Sequence, residues 1–311
     1  MSTNLKICKV HDKTGITYLR NGILVAFFLP KPLHESVTAV AEVFEMYLKT
    51  VPSGALKWAS AGGGSEEWRP LNEKTLDKCR AVLMPSAAKK RAVTTFELIG
   101  CENAGDAPIH AFTLIAAKPD KEAPDEVDLV EMCFPSIMVE SPRVDDFVKI
   151  VGEMASKLPF ISGYCSPALI YSEVGEGKAM VESRAIATRY PGLDVQKNKL
   201  GCIELNHWVR GARWLTFLGA DILRKLGGYR KLKSMLHADI SVQELQTGIM
   251  IRAGYEPEIG DRNKKIDTPL LRSLAKCLEP VTLFDEPILL SSYFADRDKD
   301  TLASWERRFL D

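Results

Sequence analysis

Apolar residues recur along this chain in two periods, and the switches between them mark its elements. From Gly15 to Leu29 β-branched and aromatic residues surround Arg20-Asn21-Gly22, and Asn-Gly supplies the positive φ values of a tight turn, so a β-hairpin is expected there. After Pro30 and Pro32 the period lengthens. Val37, Val40, Ala41, Val43, Phe44 and Leu48 share one face of a helix over 34–49. A short strand over 56–60 follows, then a helix over 71–84 opened by Asn72 or Thr75, then strands over 94–101, 110–118 and 128–138.

From Arg143 the order starts again. Asp145-Asp146 opens a helix through Phe147, Ile150, Val151, Met154 and Leu158, and an extended segment runs over 161–171. A helix over 177–190 stopped by Pro191-Gly192, a strand over 201–209 and a helix over 215–225 closed by Gly227-Gly228 come next. A hairpin over 240–253 turning at Gln246-Thr247-Gly248, a helix over 269–278 and a last amphipathic segment with Leu302, Trp305, Phe309 and Leu310 complete the chain. Both helix-to-strand joints, 47–55 and 154–164, carry Pro and Ser-Gly, which chance use of common breakers explains as well as internal duplication does. The expected class is α+β, with mainly antiparallel sheet and amphipathic helices, in two similar halves over 1–142 and 143–311 that share an interface.

Composition narrows the function. With 311 residues and 46% apolar content the chain can bury a core, and its 41 basic and 41 acidic side chains cancel. No global field draws it to nucleic acid or to a membrane, so electrostatic recognition has to be local. The longest apolar run, Ile23 to Leu29, is far shorter than a bilayer span, and 1–13 has no apolar leader, which leads us to expect a cytoplasmic protein. Seven scattered cysteines without a Cys-x-x-Cys pair suggest reduced thiols, with neither a disulfide framework nor a zinc site.

Candidate chemistry is sparse. Ala61-Gly62-Gly63-Gly64-Ser65 lacks the Gly-Lys-Ser/Thr end of a phosphate loop, and a flexible loop is the better reading. His207 beside Cys202 or Ser183 would make a dyad on paper, but nothing in the sequence brings them together. The histidines at 11, 34, 110, 207 and 237 include no pair at helical ligand spacing, so no metal and no cofactor is expected. One segment stands out by charge. Asp120, Glu122, Asp125, Glu126, Asp128 and Glu131 cluster around Pro124 with Lys121 as compensation, and they could present carboxylates to the Lys and Arg side chains with which a nuclease holds phosphates. A solvated loop is the plainer alternative.

A string of short words over about 135–285 carries a family resemblance. The words are Ala187-Thr188-Arg189-Tyr190-Pro191-Gly192-Leu193-Asp194, Arg213-Trp214-Leu215-Thr216, Leu226-Gly227-Gly228, Ile251-Arg252-Ala253-Gly254 and Pro257-Glu258-Ile259-Gly260-Asp261-Arg262-Asn263. Together they resemble bacterial type VI secretion immunity proteins for nuclease effectors of the VRR-NUC type. The resemblance implies a non-enzymatic inhibitor that binds a cognate toxin's nuclease domain, with no direct contact to nucleic acid or membrane. A hydrolase with an unrecognised site and an intracellular scaffold are the rival classes. Within the resemblance Trp214, Gly227, Gly228, Arg252, Gly254, Gly260, Asp261 and Asn263 are expected to define the fold. Arg252, Asp261 and Asn263 would be a buried polar set holding the loop over 254–263.

Overall fold

The computed structural model describes residues 5–61, 68–90, 93–172, 176–196, 205–284 and 299–310. Their strands form one sheet that runs through both halves of the chain. In chain order these are β1 (Cys8–Val10), β2 (Thr17–Leu29), β3 (Trp58–Ala61), β4 (Arg69–Pro70), β5 (Val93–Gly100), β6 (His110–Ala117), β7 (Asp128–Phe134), β8 (Ser162–Tyr171), β9 (Asp194–Val195), β10 (Leu215–Gly219), β11 (Ile240–Glu244) and β12 (Gly248–Ala253). The spatial order is β11-β12-β10-β8-β2-β7-β6-β5-β3-β4, with β1 on β2 and β9 on β8. Every pairing is antiparallel except β8 with β9. The halves meet at β2–β8, which pair from Leu19↔Tyr171 to Phe28↔Ser162.

That central strand corrects one expectation. Asn21-Gly22 does not turn; β2 runs unbroken for 13 residues. Asn21 bonds the N-terminal segment instead, donating to Leu5 O and accepting from Ile7 N. Gly22 serves close approach, since a Cβ there would stand 3.0 Å from Phe134 O and 3.2 Å from the Ile170 side chain.

Helices α1 (Val37–Thr50) and α4 (Val144–Lys157) lie on one face against each other, flanked by α2 (Glu73–Val82) and α3 (Pro85–Lys90). Between them and the sheet sits an aromatic core. Phe44 packs on Phe112 with ring centres 5.0 Å apart, Tyr47 on Phe134 at 5.3 Å, Phe134 on Phe147 at 5.2 Å and Phe27 on Phe217 at 5.0 Å. The joint after α1 leads to β3 near a sheet edge, whereas the joint after α4 leads to β8 at the centre.

The other face carries α5 (Glu176–Arg189), α6 (Ala220–Lys225), α7 (Tyr229–Met235), α8 (Pro269–Leu278) and α9 (Lys299–Glu306). Helix α2 begins at Asn72 with a reciprocal capping box, Asn72 Oδ1 accepting from Thr75 N and Thr75 Oγ1 from Asn72 N, so both candidate caps act together. The expected helix over 215–225 is a buried strand, β10, followed by the short α6, because an apolar run of that length fits either element.

Candidate functional site

At one end of the sheet β2 and β10 finish while β7 and β8 begin, and this gathers the connections around the acidic segment. The loop over 118–127 joins β6 to β7. Asp120 and Glu122 are exposed at its tip, with Asp125 and Glu126 half-buried. Its shape is fixed by local bonds. Glu122 N donates to Asp120 Oδ1 at 3.0 Å, and Ala123 N and Glu126 N donate to the carbonyls of Asp120 and Ala123. Asn206 N donates to Asp125 O at 3.2 Å, and the Lys31 ammonium lies 2.5 Å from Glu126 Oε2.

Two of the six acidic residues leave the surface, which corrects the expectation that all six face a partner. Asp128 is fully buried and Glu131 is 1% exposed, because both belong to β7 and not to the loop. Asp128 Oδ1 accepts from Ala117 N at 3.2 Å and so ties the two ends of the loop, while Oδ2 has no hydrogen-bond partner. Burial pushes this carboxyl up to about 7, against the bond from Ala117 and the nearby Lys31 charge. Glu131 points to the opposite face and accepts from Gln196 Nε2 at 2.7 Å. There it extends a cross-strand polar row through Thr113 and Glu97, paired by register and joined by the Thr113 hydroxyl at 3.1 Å from Glu97.

The same face holds a buried ionic knot that pattern reading did not single out. Asp194, 1% exposed, receives Arg213 Nε at 2.9 Å and Nη2 at 3.3 Å as a fork, and Arg308 Nη2 approaches at 3.9 Å. Burial alone would raise the Asp194 carboxyl, but Arg213 and Arg308 together hold it below the ordinary carboxylate range. Arg308 donates to the carbonyls of Pro191 and Trp305 and stacks 3.8 Å from the Trp305 ring centre, which fixes the C-terminal segment to the sheet. Burial and the neighbouring Arg213 lower the Arg308 guanidinium to about 9. Gly192 lets the chain enter the knot, since a Cβ would fall 1.9 Å from Glu258 O. Both Asp194 and Arg213 lie in the short words of the resemblance, but their partnership across 19 residues leaves no periodic trace.

The residues expected to define the fold do not form one polar set. Asp261 pairs with Arg189, at 3.1 and 3.0 Å, and accepts from Asn263 N at 3.1 Å, whereas the Asn263 side chain is exposed. Arg252 turns the other way, bonding Asp145 Oδ1 at 2.9 Å and Tyr255 O at 2.6 Å and lying over the rings of Tyr255 and Trp214. Trp214 is buried with its Nε1 donating to Gly254 O. Gly227, Gly228, Gly254 and Gly260 all have positive φ, between 67° and 86°, which a side chain would strain.

The candidate chemistry of the sequence is not brought together among the described residues. The stretch 62–65 and Cys202 lie outside the described residues, and Ser183 sits on α5 beside Glu182, which bonds Tyr18 at the opposite end of β2 from His207. Among the described residues no three His, Cys, Asp or Glu side chains stand close enough to hold a metal ion.

The acidic loop at the end of the sheet is thus held by Lys31, Asn206 and Ala117, and the buried knot lies farther along the strands. Residues 37–309 match the family described as TsiV, type VI immunity for VRR-NUC. The chain belongs to that family. It is therefore an immunity protein for type VI effectors of the VRR-NUC type. The fold is also that of a solved Pseudomonas aeruginosa T6SS protein, with a TM-score of 0.81 at 18% identity over 98% of this chain and 87% of that one. Comparison with curated proteins gives no match. The family's match takes in α1 through α9, so both faces of the sheet and the 118–127 loop fall inside it.

Proposed function

We propose that this protein neutralises its nuclease effector by stoichiometric masking, seating the sheet end that carries Asp120, Glu122 and Asp125 against the cationic surface on which the nuclease holds phosphates. The observation that supports this most is the preformed loop. The loop is held by Asn206 on the Asp125 carbonyl, Lys31 on Glu126 and Ala117 on the buried Asp128, so little ordering entropy is lost on binding. Acidic side chains on a fixed frame steer association with a basic cleft and compete with a nucleic-acid backbone. No chemical step is needed, and the arrangement calls for no cofactor. The site of action is the cytoplasm, where a nuclease would meet the producer's own nucleic acid; no helix among the described residues is long and apolar enough to cross a membrane. The halves 1–142 and 143–311 act as one body across the β2–β8 pair.

Co-expression with the effector nuclease domain tests this. The wild-type chain restores growth and co-purifies with the toxin. Asp120→Lys, Glu122→Lys and Asp125→Lys together remove rescue and slow association by about tenfold or more at low salt. Full rescue by the triple variant overturns masking through this loop.

A further inference from the structure

Beside the acidic loop lies a large aromatic side chain that belongs to none of the buried apolar clusters. Trp208 is 36% exposed, although Val209 next to it is buried. Its backbone is not slack. Trp208 N donates to Leu205 O at 3.2 Å, its carbonyl accepts from the buried Ser162 hydroxyl at 3.1 Å, and Val209 N donates to Val281 O at 2.9 Å. The main chain that carries the ring is therefore fixed. Lys225 holds it from one side, with Nζ 5.3 Å from the ring centre and 3.2 Å from the His207 carbonyl. On the other side His207 Nε2 stands 3.8 Å from Asp125 Oδ1, and Asn206 N bonds the Asp125 carbonyl. One continuous strip thus runs from carboxylate through aromatic ring to ammonium.

We infer that Trp208 is the anchor of the effector interface, and that it enters an apolar pocket of the nuclease domain flanked by a cation facing Asp125 and by a carboxylate facing Lys225. This rests on the masking reading above and names the surface that carries it. Tryptophan on a preorganised frame loses little rotamer freedom on binding and contributes large apolar area, which is why such residues dominate interfaces. The mixed charge on either side selects a protein partner over nucleic acid. Arg224 and Lys225 on α6 with Arg230, Lys231 and Lys233 on α7 would attract phosphates, but Asp120, Glu122 and Asp125 across the ring repel them.

The experiment measures binding of the purified effector nuclease domain to the full chain, together with fluorotryptophan NMR in which Trp208→Phe assigns the Trp208 resonance. Trp208→Ala weakens binding by at least about thirtyfold, mostly through faster dissociation, and leaves the melting temperature unchanged. Trp208→Phe retains part of the affinity. In the wild-type chain the Trp208 resonance shifts on adding the nuclease domain, which stands even should the alanine variant fold poorly. Binding by the wild type with an unmoved Trp208 resonance, or undiminished by Trp208→Ala, overturns the anchor and leaves masking intact. No binding by the wild type overturns both. A Trp208 shift with a single-stranded oligonucleotide or at high concentration of this chain alone, and none with the nuclease domain, overturns the anchor in favour of a nucleic-acid or self-association surface.

Discussion

The two faces of the sheet are built on opposite physical terms. Under α1 and α4, Phe27, Phe44, Tyr47, Phe112, Phe134, Phe147 and Phe217 interlock, and what they lose in water contact is returned as non-directional packing. On the other face Asp194, Arg213 and Arg308 are almost as deeply buried, but they hold only if each finds its partner in the right place. The difference teaches where specificity resides. The aromatic face tolerates any well-shaped apolar set, whereas the ionic knot fixes how the last helix and the 191–196 segment meet the sheet.

Replacement of one partner on each face breaks the comparison most sharply. Arg213→Met removes the hydrogen-bonded partner of the buried Asp194 carboxylate, leaving it the Arg308 guanidinium at 3.9 Å, and is expected to cost about 3–5 kcal/mol in urea unfolding. Phe112→Leu, equally buried, is expected to cost only about 1–1.5 kcal/mol. Equal losses from the two variants would erase the distinction.

Asp128 is the next test, because it is a carboxyl set on the aromatic side, in line with Val130 and Met132. Its folded value of about 7 lies above the model-peptide value of 3.8, so the native state holds the proton more tightly than the unfolded chain. The stability this contributes is complete below about pH 4 and is lost as pH rises through about 7, with a total swing of at most about 4 kcal/mol. Asp128→Asn should flatten that slope in denaturation series between pH 4 and 8. An unchanged slope would place the proton elsewhere.

Arg252→Lys is a smaller test. It loses the fork to Asp145 and Tyr255 O and the stacking on two rings, and about 1 kcal/mol of stability should go with them. At the least costly end, Asp120→Ser with Glu122→Ser should change stability by less than about 0.5 kcal/mol, since both side chains are solvated. A large loss there would show the loop to be structural and not a binding surface.

Elements governed by local chemistry were legible in the sequence, and those governed by distant partners were not. Helix α8 spans Pro269–Leu278 as its periodicity and N-terminal proline predict, and the Asn72/Thr75 cap is written in four residues. The Asn21-Gly22 turn signal misled because a central strand with neighbours on both sides outweighs a dipeptide preference. The acidic segment was visible, but its division between a loop and the start of β7 was not, since alternation says nothing about where a strand's first carboxylate points until its neighbours are known. Asp194 with Arg213 and Arg252 with Asp145 are pairings across 19 and 107 residues, set by topology alone. Trp208 could not be told from a core residue by sequence, because a ring beside an apolar run is usually buried.

Hydrogen exchange of the full chain with and without the effector nuclease domain shows where the toxin sits. Masking through this sheet end predicts new protection at 118–127 and 205–209, with the 101–109 loop at the opposite end unchanged. Protection confined to the 101–109 end or to α1 and α4, with 118–127 exchanging as freely as before, would contradict it.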